Sequence, residues 1–157
     1  MRGDHAEAWR HVQALLPQGF STAPGNDAFV AVISALRLSA ALLLETKAFT
    51  EARQALETHT SWVAWSGGHT GRVEDELALA KVHLAAEQYD EARIRVERAT
   101  LLAAAPRQPG LQASADVVLG RISAAQGAWA DAIGHFSAAR DRYDALPLPY
   151  EFAFCLC

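Results

Sequence analysis

Among the residues of this 157-residue chain whose types could bind a metal ion or act as nucleophiles are six histidines and two cysteines. The histidines show no HExxH spacing, and none pairs with a cysteine at the intervals of zinc ligands. Cys155 and Cys157 are two positions apart, so on a helix they would point in different directions. The stretch SGGHTGR, at positions 66–72, lacks the Gly-Lys-Ser/Thr of a phosphate-binding loop. We therefore predict no catalytic, metal or cofactor site, and no enzyme.

Two other arrangements suggest binding rather than catalysis. Lys81 and Arg121 each follow directly after a small residue in two similar segments, and Arg37 lies one helical turn earlier in the preceding segment. If these segments are repeats, the three cations could form a basic stripe that attracts carboxylates or phosphates; otherwise they are solvated charges on a helical face. Trp62 and Trp65 either pack in the core or form a platform on which a ligand stacks.

The composition is that of a folded chain. Apolar residues make up 51% and charged residues 20%, which argues against disorder. No apolar run approaches the length of a membrane-spanning helix, roughly 20 residues. The N-terminal MRGDHAEAWR lacks the apolar segment of a signal peptide. Two terminal cysteines make no disulfide framework, which favours a cytoplasmic location. The net charge of -4 argues against a general nucleic-acid binder.

The elements expected to position these residues are helices. Strong helix formers fill most of the chain, and no run alternates apolar and polar residues as a half-buried strand would. Prolines and glycines gather between the helical segments. The sequence predicts a lone helix at 4–16, helix pairs at 26–65, 71–105 and 110–145, and the start of a further helix at 149–157.

The three predicted pairs carry the same residue types at an interval of 40. In each pair an aromatic residue precedes an alanine by three positions, and a small residue precedes that alanine by twelve. These residues are Ala40, Phe49 and Ala52; Ala80, Tyr89 and Ala92; and Gly120, Trp129 and Ala132. Small side chains let two helices cross at close range, and the aromatic residue is expected to fill the elbow between them. Replacing Trp129 with alanine should then cost roughly 3–5 kcal/mol. An irregular bundle would have to reproduce this interval three times by chance.

This pattern resembles the tetratricopeptide repeat. Its best match is LGRISAAQGAWADAIGHFSAA, at positions 119–139, while Lys47 and Glu87 stand where the turn glycine is usual. The 40-residue period is similar to that of solenoids in large bacterial transcription regulators, the LuxR-type, maltose-regulator-like and antibiotic-regulator-like ATPases. The resemblance implies an all-α, right-handed superhelical solenoid of antiparallel helix pairs.

The resemblance also implies a function. In such solenoids the first helix of each pair lines the concave surface, which would place Arg37, Lys81 and Arg121 in the groove. The chain is then expected to be a non-catalytic sensor or interaction region of a bacterial regulator, binding a protein, a peptide or a small acidic ligand. The alternative is a free-standing adaptor that assembles other proteins. The segment 3–12 fits the second helix of a repeat, so we also expect a piece of a longer solenoid whose exposed ends could form a homodimer.

Overall fold

A computed structural model describes residues 5–25, 28–67, 71–105 and 107–146, and over these residues the chain is helical without a strand. The predicted all-α class is confirmed. The helices are α1 (His5–Leu15), α2 (Phe29–Glu45), α3 (Phe49–Trp65), α4 (Arg72–Ala85), α5 (Tyr89–Leu102), α6 (Pro109–Ala125) and α7 (Trp129–Asp144), with a 3-10 turn at Gly19–Ser21. The further helix predicted at 149–157 lies outside the described residues.

Each helix pair is joined by the same turn. Lys47, Glu87 and Gly127 have φ angles of 61°, 59° and 77°, in the left-handed region. The N–H of the residue that follows each of them donates to the carbonyl five positions earlier, at 2.9 Å in all three turns. This is the Schellman arrangement, which ends a helix and satisfies its last carbonyls. Because glycine alone adopts this conformation at little cost, the two non-glycine turns are strained.

The chain divides into two compact units, Met1–Gly71 and Arg72–Cys157. In the first unit, α1 packs on α2, and α2 packs on α3. Its core is formed by residues of these three helices and of the adjoining loop, namely Val12, Leu16, Val32, Ala35, Leu36 and Trp62. The segment between α1 and α2 is held against α3, because Thr58 Oγ1 donates to the Phe20 carbonyl at 2.6 Å and Trp62 Nε1 donates to the Thr22 carbonyl at 3.1 Å.

In the second unit, α4 contacts α5 and α6, while α6 also contacts α5 and α7. Small and branched side chains of the first three of these helices make one buried cluster: Val73, Leu77 and Ala80 from α4; Ala92, Val96 and Ala99 from α5, with Ala103 just after it; and Ala115, Val118 and Ile122 from α6. The alanines let the helix axes approach closely, and the branched side chains fill the space between them.

The small residues of the repeat are buried in all three pairs. The third pair shows why glycine replaces alanine at one of these positions. A Cβ atom added to Gly120 would lie 2.7 Å from a ring carbon of Phe136, closer than real Cβ atoms come to a neighbour. Leu56 and Val96, which occupy the position of Phe136 in the other two pairs, are smaller. The larger residue on the second helix therefore requires the smaller residue on the first.

The prediction that Trp129 is buried in an elbow is wrong, since 66% of this residue is exposed. Its counterpart Tyr89 is half-buried and packs against the core cluster of the second unit. The difference has a physical cause: α5 packs against both α4 and α6, whereas α6 is the helix of the described part on which α7 mainly packs. Burial of the repeat aromatic thus depends on the following helix as well as on its own pair.

Candidate functional site

The second unit places two of the predicted cations on neighbouring helices. Lys81 lies on α4 and Arg121 on α6, one residue after the buried Ala80 and Gly120, and both cations are exposed. Ala85 and Ala125, one turn further along each helix, are exposed as well. We call the surface formed by Lys81, Ala85, Arg121 and Ala125 the α4–α6 face. Lys81 and Arg121 occupy equivalent repeat positions beside small residues, and the helices that carry them contact each other.

Carboxylates of the same two helices are paired with other arginines. Glu76 on α4 accepts from Arg95 Nη1 of α5 at 3.2 Å, and Asp116 on α6 accepts from Arg142 Nε of α7 at 2.7 Å. Both carboxylates are mostly buried, and they occupy the same position of successive repeats. Each pair therefore joins the two helices of its own hairpin and neutralises its own carboxylate.

These ion pairs affect the charge of the α4–α6 face. Since Glu76 and Asp116 are compensated by Arg95 and Arg142, these two acids do not cancel the charges of the cations on the face. Glu74 is an acidic residue two turns before Lys81 on the same side of α4, and it is half-buried.

Arg37 belongs to the first unit. It is exposed on α2 and lies three residues before Ala40, so its repeat position differs from that of the other two cations. Of the three predicted cations, Lys81 and Arg121 belong to the same compact unit. A stripe that includes Arg37 stays a prediction.

The two tryptophans at the end of α3 have different environments. Trp62 is 3% exposed, and its indole N–H donates a hydrogen bond to the Thr22 carbonyl. Trp65 is 49% exposed, with its ring centroid 6.4 Å from that of Phe29. The Phe29 ring also lies 5.9 Å from Trp62. Trp62 is thus a core residue, and the pair does not offer two indole faces to a ligand.

Sequence reasoning missed the buried polar residues at the elbows. Nδ1 of His83 lies 2.8 Å from Oε1 of Gln88, across the turn from α4 to α5. Ser123 occupies the same position in the next pair and is buried. The backbone carbonyls of both residues accept the turn hydrogen bonds. The repeat interval was the signal that could have singled out this position, and the contacts indicate a role in closing the elbow.

The described residues contain no group of three or more histidine, cysteine, aspartate or glutamate side chains able to hold a metal ion. Cys155 and Cys157 lie outside the described residues. None of the described helices combines the length and the apolar character needed to span a membrane.

No protein-family model, curated protein or solved structure matches the chain. The geometry of the second unit and the internal repeat are therefore the features that bear on function.

Proposed function

We propose that the chain is a non-catalytic helical-repeat module, and that the α4–α6 face binds an acidic peptide or a small acidic ligand. The single observation that carries this proposal is the recurrence of an exposed cation, Lys81 and then Arg121, at one repeat position on two helices in contact. Two cations at equivalent positions of adjacent helices can bind two carboxylates, or both oxygens of one, with charge-assisted hydrogen bonds.

The shape of the face favours an extended acidic chain. Ala85 and Ala125 carry the smallest side chains with a Cβ, so a bound peptide could lie close to both helix backbones beside the cations. Sequence-independent DNA binders that lose affinity steeply with salt contact about 6–10 phosphates. Two cations on a chain of net charge -4 fit a carboxylate ligand better than such a polyanion.

The wider architecture belongs to this proposal. We infer that the helix pairs stack as a right-handed, tetratricopeptide-like solenoid whose first helices line the groove. The equal turns, the buried small residues and the contact of α4 with α6 support this stacking. In a bacterial transcription regulator such a groove would act as the sensor or interaction surface. A P-loop encoded upstream and a helix-turn-helix encoded downstream would support that setting, and a gene without either would contradict it.

The test of the binding face uses an acetylated hexaglutamate peptide as the probe. Binding to the intact chain is followed by amide chemical shifts in NMR titrations at low and high salt. In the double variant Lys81→Glu/Arg121→Glu we expect affinity to fall at least about tenfold, because both attractive charges become repulsive. Higher salt should weaken binding to the unaltered chain.

The matched control reverses two exposed arginines of the same unit that lie away from the face, Arg98→Glu/Arg107→Glu. Both double variants change the net charge equally, so only a local site separates them. Equal losses in the two variants would show attraction by overall charge and would overturn the proposal. An absence of shifts in α4 and α6 at millimolar peptide would do the same.

A further inference from the structure

The outer side of α7 carries large apolar residues that water reaches. Trp129 and Ile133, one turn apart, are 66% and 67% exposed. Phe136 follows one turn later and is half-buried, because its ring packs against Gly120 of α6, and Arg140 follows one turn after that and is exposed. We call these four residues the α7 stripe. Their spacing puts them in one row along the helix.

The α7 stripe has a direct counterpart in the same unit, one repeat earlier on α5: Tyr89, Arg93, Val96 and Thr100. Helix α6 packs beside this counterpart, of which Thr100 is exposed. Tyr89 packs against the core cluster, Val96 is fully buried, and Arg93 Nη2 donates to Gln126 Oε1, just after α6, at 2.9 Å.

The direction of α6 along α5 follows from two hydrogen bonds. Gln112, near the start of α6, donates to the carbonyl of Ala103, just after the end of α5, at 3.2 Å. At the other end of both helices, Gln126 accepts from Arg93. The covering helix is therefore antiparallel to the helix that it covers, and its buried side presents Val118 and Ile122, one turn apart.

The composition of the two stripes is the reverse of what exposure to water favours. The row beside α6 includes an arginine, Arg93, whereas the exposed α7 stripe has Trp129 and Ile133 in the places of Tyr89 and Arg93. Single exposed apolar residues are common, but adjacent ones at the positions of an internal interface indicate a contact surface. Gly134 lies beside them, and a Cβ there would meet nothing within 4 Å, so no contact inside the described unit explains a glycine in mid-helix.

We propose that the α7 stripe is the docking surface for an amphipathic α-helix that packs antiparallel to α7, as α6 packs on α5. The α5–α6 interface then continues in register onto α7. The docking helix presents aliphatic side chains one turn apart, like Val118 and Ile122. On α5, Arg93 meets Gln126, which follows directly after α6. Because Ile133 stands in the place of Arg93 on α7, the residue of the docking helix that lies opposite Ile133 is apolar. The surface lies on a different helix from the α4–α6 face, so the two proposals are tested separately.

The experiment uses a synthetic peptide with the sequence of positions 109–126 as a stand-in for the docking helix. The protein is labelled with 5-fluorotryptophan, and the fluorine signal of Trp129 is assigned with Trp129→Phe. We expect the peptide to bind and to shift the Trp129 signal while the signal of the buried Trp62 stays in place. Ile133→Ser should weaken binding at least about tenfold. A peptide with serine at the positions of Val118 and Ile122 should not bind.

Ile94→Ser is the matched control, because Ile94 is 51% exposed on α5 of the same unit and lies outside the stripe. Binding to this variant should equal binding to the unaltered chain. Equal losses with Ile94→Ser and Ile133→Ser, or no binding at millimolar peptide, would overturn the proposal. Two further results would name another occupant and overturn it too. One is a dimer that grows with concentration and is lost in Ile133→Ser; the other is a shift of the Trp129 signal when the segment 149–157 is deleted.

Discussion

The hairpins α4–α5 and α6–α7 have the same turn, buried small residues at the same positions and an ion pair from the first helix to the second, yet their second helices meet different surroundings. On α5 the repeat aromatic Tyr89 packs against the core, whereas its counterpart Trp129 on α7 faces solvent. The turn and the buried small residues of a hairpin follow from the repeat pattern. Contacts between hairpins depend on which helix comes next, as expected for a repeat architecture in which each unit packs on its neighbours.

The largest effect on stability is expected at the contact between Gly120 and Phe136, where the hairpin α4–α5 has Ala80 and Val96. Gly120→Ala places a Cβ 2.7 Å from the Phe136 ring. We expect it to destabilise the protein by about 1–3 kcal/mol, the usual cost of overpacking. Adding Phe136→Val should recover most of this loss, because the pair then matches Ala80 and Val96 of the other hairpin. Urea unfolding of the single and double variants measures this coupling.

Gly134→Ala is the control for that experiment. It also replaces a glycine of the third helix pair, but at an open position on α7. It should therefore stabilise the helix by up to about 1 kcal/mol. If Gly120→Ala behaved like Gly134→Ala, the close approach of α6 and the Phe136 ring would be disproved.

The second effect concerns the repeat aromatic residues. Tyr89 is half-buried against the core cluster. Tyr89→Ala should therefore destabilise by about 2 kcal/mol, roughly half of what a fully buried aromatic residue costs. Trp129→Ala should change the free energy of unfolding by only about 0.5 kcal/mol, since the residue is largely exposed. Thermal and urea unfolding compare the two variants. A larger loss for Trp129→Ala than for Tyr89→Ala would reverse this assignment of covered and uncovered helices.

The smallest effect is expected at the turns, where Lys47 and Glu87 have positive φ angles. Lys47→Gly and Glu87→Gly should each stabilise by up to about 1 kcal/mol, because glycine relieves the cost of that conformation. Gly127→Ala should destabilise by a similar amount. Alanine at Lys47 or Glu87 keeps the strain, so these two variants serve as controls and should be close to neutral. Stabilisation by alanine equal to that by glycine would show that the side chains themselves, and not the backbone angle, set the cost.

Much of the helical organisation could be read from the residue pattern. The second helices begin at Phe49, Tyr89 and Trp129, the aromatic residues that the repeat interval singles out. The buried small residues are also those that the interval predicts, because close helix crossing inside a hairpin is a local requirement. The positions of Lys81 and Arg121 on adjacent helices follow from the same register. Their ligand stays a prediction, since two cations specify a charge but no particular molecule.

Other features could not be derived from the pattern. The arginines that form ion pairs with Glu76 and Asp116 occupy different positions on their helices, so the 40-residue repeat interval does not identify them. The division into two units, which separates Arg37 from the other cations, also leaves no mark in the repeat.

The sequence by itself determined the helical class, the register of the pairs and the places where small side chains are required, because these depend on residues close together in the chain. Only the tertiary structure decided that Trp62 is a core residue, that the ring of Phe136 packs against Gly120, and that Trp129 and Ile133 are exposed to water. Burial of a side chain on the outer side of a hairpin depends on the helix that packs there, and the repeat interval does not specify whether such a helix is present.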